Sequence, residues 1–372
     1  MEIWQKQIPF TASSSITKEL LSKSSLLFDI ETTGFSATNN HVCLIGCAAK
    51  QEDALQFTQF FAKNAQEEKE ILSAFLQKVS HYKSLVSFNG LSFDVPFLQG
   101  RCARYQLEET LDAYPHLDIY KQLSDYKDIF KLPNMKQKTL ESFIEIERKD
   151  LCTGGDFIKI YQEYVKHPSK EGCSLLLLHN YEDLLGMTGL ISLLAYPRFF
   201  SGQFQAITYE KNLYTAYDGA QTAELLLTLS LDHALPQPFS LGKDDIYLKG
   251  FQNQAILKIP IYQGELKYFY PNYKDYYYLP KEDRAIHKSV AFYVDKDFRT
   301  SAKAATCYSK KTGCFLPQHK EIVTPCFKTD YHDKDAWFEM TEDFLESEKQ
   351  MKKYILHILT HIAGSKSLSQ IK

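Results

Sequence analysis

Apolar and polar positions alternate in two rhythms along the first half of the chain. The stretch Leu26-Leu27-Phe28-Asp29-Ile30-Glu31-Thr32-Thr33-Gly34 starts as an apolar strand and ends with carboxylates on alternate residues before a glycine. Successive strand side chains point to opposite faces, so Asp29 and Glu31 should project together from one face at the strand end. Residues 41–48 and 55–61 read as two further strands, and the short connections predict an antiparallel meander. Between 67 and 82 the apolar positions Ile71, Leu72, Phe75, Leu76 and Val79 follow the period of a helix with acids in its first turn. A strand at 84–88 should follow the crossover and end in Asn89-Gly90. The next helix should begin near Phe93-Asp94-Val95-Pro96, where proline is tolerated in a first turn.

A short strand is expected at 116–119, then helical pieces at 124–130, 139–147 and 157–165, and one long leucine-rich helix over 173–195. Residues 1–23 are polar and serine-rich and read as an adaptor to the first strand. Beyond Pro197 the rhythm changes. Short alternating segments at 224–229, 255–261, 265–270, 276–279, 289–294 and 314–317 are separated by Gly, Pro and Asp turns, and a helix over 341–363 closes the chain. The pattern divides the chain near residue 200, into an α/β domain over 1–200 and a mainly β domain with a terminal helix over 201–372.

At 372 residues, 44% hydrophobic and 14% aromatic, the chain can bury cores for both. Its longest uncharged apolar run, 184–196, is too short to span a bilayer, and no apolar leader opens the sequence; a cytoplasmic protein without a membrane partner is expected. The eight cysteines have neither CxxC pairs nor disulfide-scaffold density. Ser309 to Gly313 reads as a hairpin turn that would bring Cys307 near Cys314. With His319 and Cys326 these could compose a zinc site, although the spacing is unlike that of a zinc knuckle. The net charge of −3 gives no overall pull on a polyanion, yet residues 243–311 carry 13 basic against 8 acidic side chains with ten tyrosines among them. That interleaving suits stacking on bases with phosphate neutralisation, and equally suits a half-buried β domain.

The chemistry starts from Asp29 and Glu31. Two adjacent carboxylates repel, and burying both is costly unless a cation neutralises them; alone, the pair also fits a solvated strand end. Two further segments add acids, Phe88-Asn89-Gly90-Leu91-Ser92-Phe93-Asp94-Val95-Pro96-Phe97-Leu98 and His179-Asn180-Tyr181-Glu182-Asp183. Together the three resemble the DEDD superfamily of 3′-to-5′ exonucleases, and the Asn-Gly-x-x-Phe-Asp-x-Pro-Phe-Leu form is most similar to its YprB-type ribonuclease H-like subgroup.

The resemblance covers residues 26–195. It implies a ribonuclease H-like mixed five-stranded sheet flanked by helices, and a 3′-to-5′ exonuclease acting on a single-stranded DNA or RNA end. It implies two Mg²⁺ or Mn²⁺ ions held by Asp29, Glu31, Asp94 and Asp183, with Asp29 bridging them. Elementary chemistry agrees, because phosphodiester hydrolysis needs an activated water and a sink for charge on the leaving oxygen, and paired divalent ions supply both. His179, one helical turn before Asp183, could orient or deprotonate the water, or could be a capped helix histidine. By the same resemblance Thr32, Thr33 and Phe35 would meet the terminal nucleotide. Asn89 would touch it or only shape its turn. A rival expectation is a non-catalytic nucleic-acid-binding module on the same fold.

Overall fold

A computed structural model describes residues 1–364 other than 151, 216–218 and 220. The chain forms two compact units, Met1–Arg198 with His233–Gln237, and Phe199–Asp232 with the chain from Pro238 onward. Among the described residues no helix is long and apolar enough to cross a membrane.

The first unit is built on a six-stranded sheet of β1 (Glu2–Pro9), β2 (Ser25–Thr32), β3 (Val42–Gln51), β4 (Ala54–Phe61), β5 (Ser84–Ser87) and β6 (His116–Asp118), in the order β1-β4-β3-β2-β5-β6. The first four positions pair antiparallel, while β5 and β6 run parallel to β2, so the sheet is mixed. It has six strands where five were expected, because β1 replaces the adaptor. Its side chains are mostly exposed, so no apolar alternation marks it; backbone pairing from Glu2↔Phe61 to Pro9↔Ala54 makes it an edge strand.

Among the described residues its helices, in chain order, are α1 (Ser15–Leu20), α2 (Glu68–Val79), α3 (Asp94–Arg104), α4 (Ile119–Leu123), α5 (Lys127–Phe130), α6 (Gln137–Phe143), α7 (Gly154–Lys166), α8 (Lys170–Leu190) and α9 (Ala195–Phe200), the last ending in the second unit. The helix expected over 173–195 is α8 continued by a tighter turn, Ile191–Leu194. On one face of the sheet Leu26, Phe28 and Ile30 pack with Ile71, Leu72 and Phe75 of α2 and Val95 and Leu98 of α3. On the other, Cys43, Leu44 and Phe61 meet Phe157 and Tyr161 of α7 and Cys173 and Leu176 of α8. The alternation of β2 therefore sends Asp29 and Glu31 toward α8. A buried ion pair fixes the first layer: Arg101 donates from Nε to Glu68 at 2.8 Å, and Glu68 also accepts from the Val42 amide at 2.8 Å.

In the second unit, β7 (Phe204–Thr215), β8 (Gln221–Lys243), β9 (Ile246–Phe269), β13 (Tyr308–Gln318) and β14 (Ala336–Glu339) form a sheet in the order β14-β13-β9-β8-β7. A small sheet holds β10 (Tyr276–Leu279), β11 (Arg284–His287) and β12 (Thr300–Ser301). The chain then forms α10 (Glu342–Glu346) and α11 (Glu348–Ala363), split where Ser347 caps α11.

Several sequence expectations need correction here. Segments 255–261 and 265–270 are one strand, β9, and 289–294 holds a 3-10 turn, Ala291–Tyr293, instead of a strand. No hairpin forms at Ser309–Gly313, because β13 runs straight through it with Gly313 opposite Gly264. At about 3.4 Å per residue that strand separates Cys307 from Cys314 by ~24 Å, so the expected zinc pairing is not made.

Candidate active site

Strand β2 pairs with β5 only as far as Leu27↔Val86. Past that point the parallel neighbour turns away at Asn89, whose φ of +64° lets the chain double back into α3. The Ile30 amide, left without a strand partner on that side, donates to Asp94 Oδ1 at 3.1 Å. This bond brings the first acid of α3 to the backbone between Asp29 and Glu31. On the other edge, the pairing of β2 with β3 shifts register between Glu31 and Thr32, a bulge that ends the ladder beside the acids.

Helix α8 supplies the remaining groups. Asn180 donates from Nδ2 to Asp29 Oδ2 at 2.9 Å and accepts at Oδ1 from Gln59 Nε2, also at 2.9 Å, so the helix is keyed to the sheet at the first carboxylate. Gly46, opposite Asp29 in β3, makes the room: a Cβ there would lie 2.0 Å from Asn180 Oδ1. One residue earlier, His179 is buried, with Nδ1 2.6 Å from Asp150 Oδ2. Its Nε2 faces Glu31 Oε1 at 3.7 Å and Asp183 Oδ2 at 3.6 Å. Donor atoms of Glu31, His179 and Asp183 lie within 4.8 Å of one another. The four acids and the histidine named from the sequence are thus gathered from β2, α3 and α8.

Groups that sequence reasoning missed complete the cluster. Arg148 donates from Nη1 to Asp183 Oδ1 at 2.7 Å and to Glu141 Oε2 at 3.0 Å, and its Nη2 lies 3.3 Å from Asp150 Oδ2. Lys138 Nζ lies 3.0 Å from the same Asp150 oxygen. Glu182 accepts from the Lys149 and Asp150 amides and so latches their loop to α8. The loop segment Glu145 to Asp150 carries charges without periodicity, so only the folded chain reveals their partners; Glu182, adjacent to Asp183, was the one available signal.

Burial pushes the Asp29 carboxyl well above its ordinary pKa, reinforced by the charges of Asp183 and Asp94. Glu31 is pushed up in the same way by burial and then by Asp29. Asp94 rises to about 7, again through burial, against which the Ile30 amide works. Asp150 is the opposite case. Burial acts to raise it but is outweighed by the Cys152 amide, the Lys138 ammonium and His179, which hold it well below the usual range. The outcome is an acid pocket short of cations, with one fixed anion orienting the histidine. Its oxygen-rich donor set fits a hard divalent ion.

The residues expected to meet a nucleotide are placed less uniformly. Thr32 donates to the Gly34 carbonyl at 2.8 Å, and the Thr33 hydroxyl lies against His41, so both side chains are engaged within the loop. Phe35 is 90% exposed, its ring edge-on to Phe93. The Asn89 amide donates to Asp118 Oδ1, and Asp118 also accepts from Leu91 and Lys121, so Asp118 organises this turn. Tyr181 packs on Phe57 under Lys6. In the second unit, Lys267 lies over Tyr308 and Tyr276 stacks on Tyr270, so part of the tyrosine–lysine interleaving is consumed internally.

Residues 26–195 match the family model of the RNase H superfamily. Among solved structures, the chain is similar to the family B DNA polymerase from the hyperthermophilic archaeon Pyrobaculum calidifontis, at 14% identity and TM-score 0.38 over 55% of this chain and 34% of that one. It is also similar to E. coli exonuclease I in complex with a dT13 oligonucleotide, at 10% identity and TM-score 0.33 over 56% and 55% of the two chains. The Aedes aegypti Nibbler EXO domain aligns at 16% identity and TM-score 0.31, over 49% and 84%. The chain thus spans about a third of the polymerase and about half of the exonuclease. No curated protein matches it.

Proposed function

We propose, from an RNase H-like domain whose sheet and longest helix converge on buried carboxylates, that the protein is a metal-dependent 3′-to-5′ exonuclease of the DEDD type. The observation that carries this reading is the gathering of Asp29, Glu31, Asp94 and Asp183 into one mutually repelling set, with Glu31 and Asp183 facing His179 Nε2 and the first three acids raised in pKa by burial. Such an arrangement is destabilising unless protons or cations complete it. The four acids would hold the ions, Asp29 central among them. Bound there, a pair of divalent ions would lower the pKa of a water and take up charge on the leaving oxygen.

The remaining roles fall to the chain itself. Asp150 accepts the Nδ1 proton of His179, which leaves the Nε2 lone pair directed at the acids and able to take the proton of a water as it attacks phosphorus. The bond from phosphorus to the 3′ oxygen breaks, and a nucleotide leaves with the phosphate. Phe35 offers an exposed ring for stacking on the terminal base. The basic, tyrosine-bearing stretch 243–311 would hold the rest of a single strand, with Tyr273 and Tyr293 as exposed rings for stacking. The 88–98 segment favours the YprB-type subgroup, and a cytoplasmic location belongs to the same reading.

One observation favours a second reading. Arg148 already supplies a cation to Asp183 and Glu141. A binding module that kept the fold would leave the other acids to protons instead of metal, in keeping with their raised pKa values. Incubating end-labelled single-stranded DNA and RNA with Mg²⁺, with Mn²⁺ and with EDTA separates the two. Metal-dependent shortening from the 3′ end supports the enzyme, whereas intact, retained oligonucleotide supports the module.

A further inference from the structure

The second unit gathers a different set of donors. Strands β8 and β9 are joined by a two-residue turn whose central residues, Asp244 and Asp245, have φ of +50° and +60°, the mirror-image turn that suits a tight hairpin. The turn sets Asp244 Oδ2 2.7 Å from Nε2 of His361, in the last turn of α11. His319, the residue after β13, lays its ring against that of His361, with centroids 3.3 Å and planes 9° apart. A donor atom from each of Asp244, His319 and His361 lies within 4.8 Å of the other two.

Two independent features of this corner call for a cation. Nε2 of His319 is buried and has no hydrogen-bond partner. Asp244 sits beside the C-terminal turn of a helix, where the helix dipole opposes a carboxylate. The neighbouring Lys243 ammonium donates to the His361 carbonyl at 3.1 Å and acts on Asp244 through its charge alone. The His319 backbone is held in turn by His357, whose Nε2 accepts from the His319 amide at 3.0 Å.

We infer that Asp244, His319 and His361 form a surface site for one divalent ion of the imidazole-preferring class, Zn²⁺ above all, with a fourth position open to water. Two imidazoles and one carboxylate suit zinc, whereas the oxygen-rich pocket of the first unit suits magnesium or manganese. A tetrahedral ion about 2.0–2.1 Å from each nitrogen would hold the two nitrogens roughly 3.3 Å apart, inside the 4.8 Å within which the donor atoms already lie. The parallel rings must splay to aim both lone pairs at one point. The ion would then staple the β8–β9 turn, the end of β13 and the end of α11.

Cobalt reports such ligation directly through its visible absorption. Full-length protein carrying Asp29→Asn and Asp183→Asn, which disable the carboxylate pocket, is titrated with Co²⁺ and then with Zn²⁺ as competitor. One equivalent should bind and be displaced by zinc. His319→Asn, His361→Asn and Asp244→Asn in that background should each weaken binding at least ~10-fold with unchanged circular dichroism. Asp244 is 59% exposed, so its variant keeps the test decisive where a histidine variant fails to fold. Absence of a bound equivalent in the parent, or an affinity unchanged in Asp244→Asn and His361→Asn, overturns the inference.

Discussion

Arg148 Nη1 stands 2.7 Å from Asp183 Oδ1, a guanidinium placed against one of the carboxylates proposed to hold metal. It also reaches Glu141 and Asp150, so a single cation joins the α6, α8 and loop contributions to the pocket. Removing one partner of a buried ion pair leaves the other charge uncompensated, at a cost of about 3–5 kcal/mol.

Arg148→Met should therefore destabilise the metal-free protein by about that amount. Millimolar Mn²⁺ should restore part of the loss, because the exposed acids then gain another countercharge. Urea unfolding with and without Mn²⁺ measures both. An equal loss in the two conditions would mean that Arg148 and the ion do not share the same acids.

His179→Ala should lower kcat by about 100-fold with little change in KM, as expected of a group acting on the water in the transition state. Asp150→Asn should lower kcat by less, because it keeps the His179 Nε2 base and disturbs its tautomer and orientation, together with the Lys138 and Arg148 contacts. Steady-state kinetics on a short oligonucleotide decides. Losses under about threefold for His179→Ala would assign it a packing role instead.

Gly46→Ala should cost about 1–3 kcal/mol, since its Cβ would meet Asn180 Oδ1 at 2.0 Å and Leu184 Cδ1 at 2.7 Å. It should also lower activity, because Asn180 positions Asp29. Gly186→Ala should behave similarly through Glu141 Oε1, 1.8 Å from its Cβ. Gly313→Ala, whose nearest contact would be 3.6 Å, serves as the control and should stay within about 0.5 kcal/mol. Thermal unfolding of the three variants ranks them.

The sequence carried the acids because strand alternation and the four-residue helix spacing are local rules: Asp29 with Glu31, and His179 with Asp183, share faces for reasons their own elements set. Asp94 was legible through its turn and Pro96. Arg148, Glu141 and Asp150 were not, since their positions depend on a loop latched by Glu182. Strand β1 escaped notice because its side chains face solvent and only its backbone pairs. In the second unit, alternation marked the buried parts of β8 and β9, while their exposed extensions and the facing glycines Gly264 and Gly313 read as breaks.

Stability should fall on acidification through the half-buried His116. Burial holds His116 below its ordinary 6.5, against a smaller opposing effect of Asp118. The unfolded chain takes up a proton below pH 6.5 while the folded site resists it, so the stability is present above 6.5 and is lost as pH falls toward the folded value. His116→Gln, which can still reach Ser87 Oγ, should lose less stability between about pH 7.5 and 5.5 than the parent. Equal slopes in urea unfolding at the two pH values would exclude His116 as a contributor.

The central claim is that Asp29, Glu31, Asp94 and Asp183 act together as a metal-dependent cutting site at a 3′ end. Its most direct test is single-turnover cleavage of a 5′-labelled single-stranded oligonucleotide by wild type and by Asp29→Asn, a substitution that keeps shape but removes a hard ligand. Wild type with Mg²⁺ or Mn²⁺ should give a ladder shortened one nucleotide at a time, silenced by EDTA, and Asp29→Asn should be slower by orders of magnitude while remaining folded. A folded Asp29→Asn protein that cleaves at the wild-type rate, or wild-type cleavage that persists in EDTA, would contradict the account.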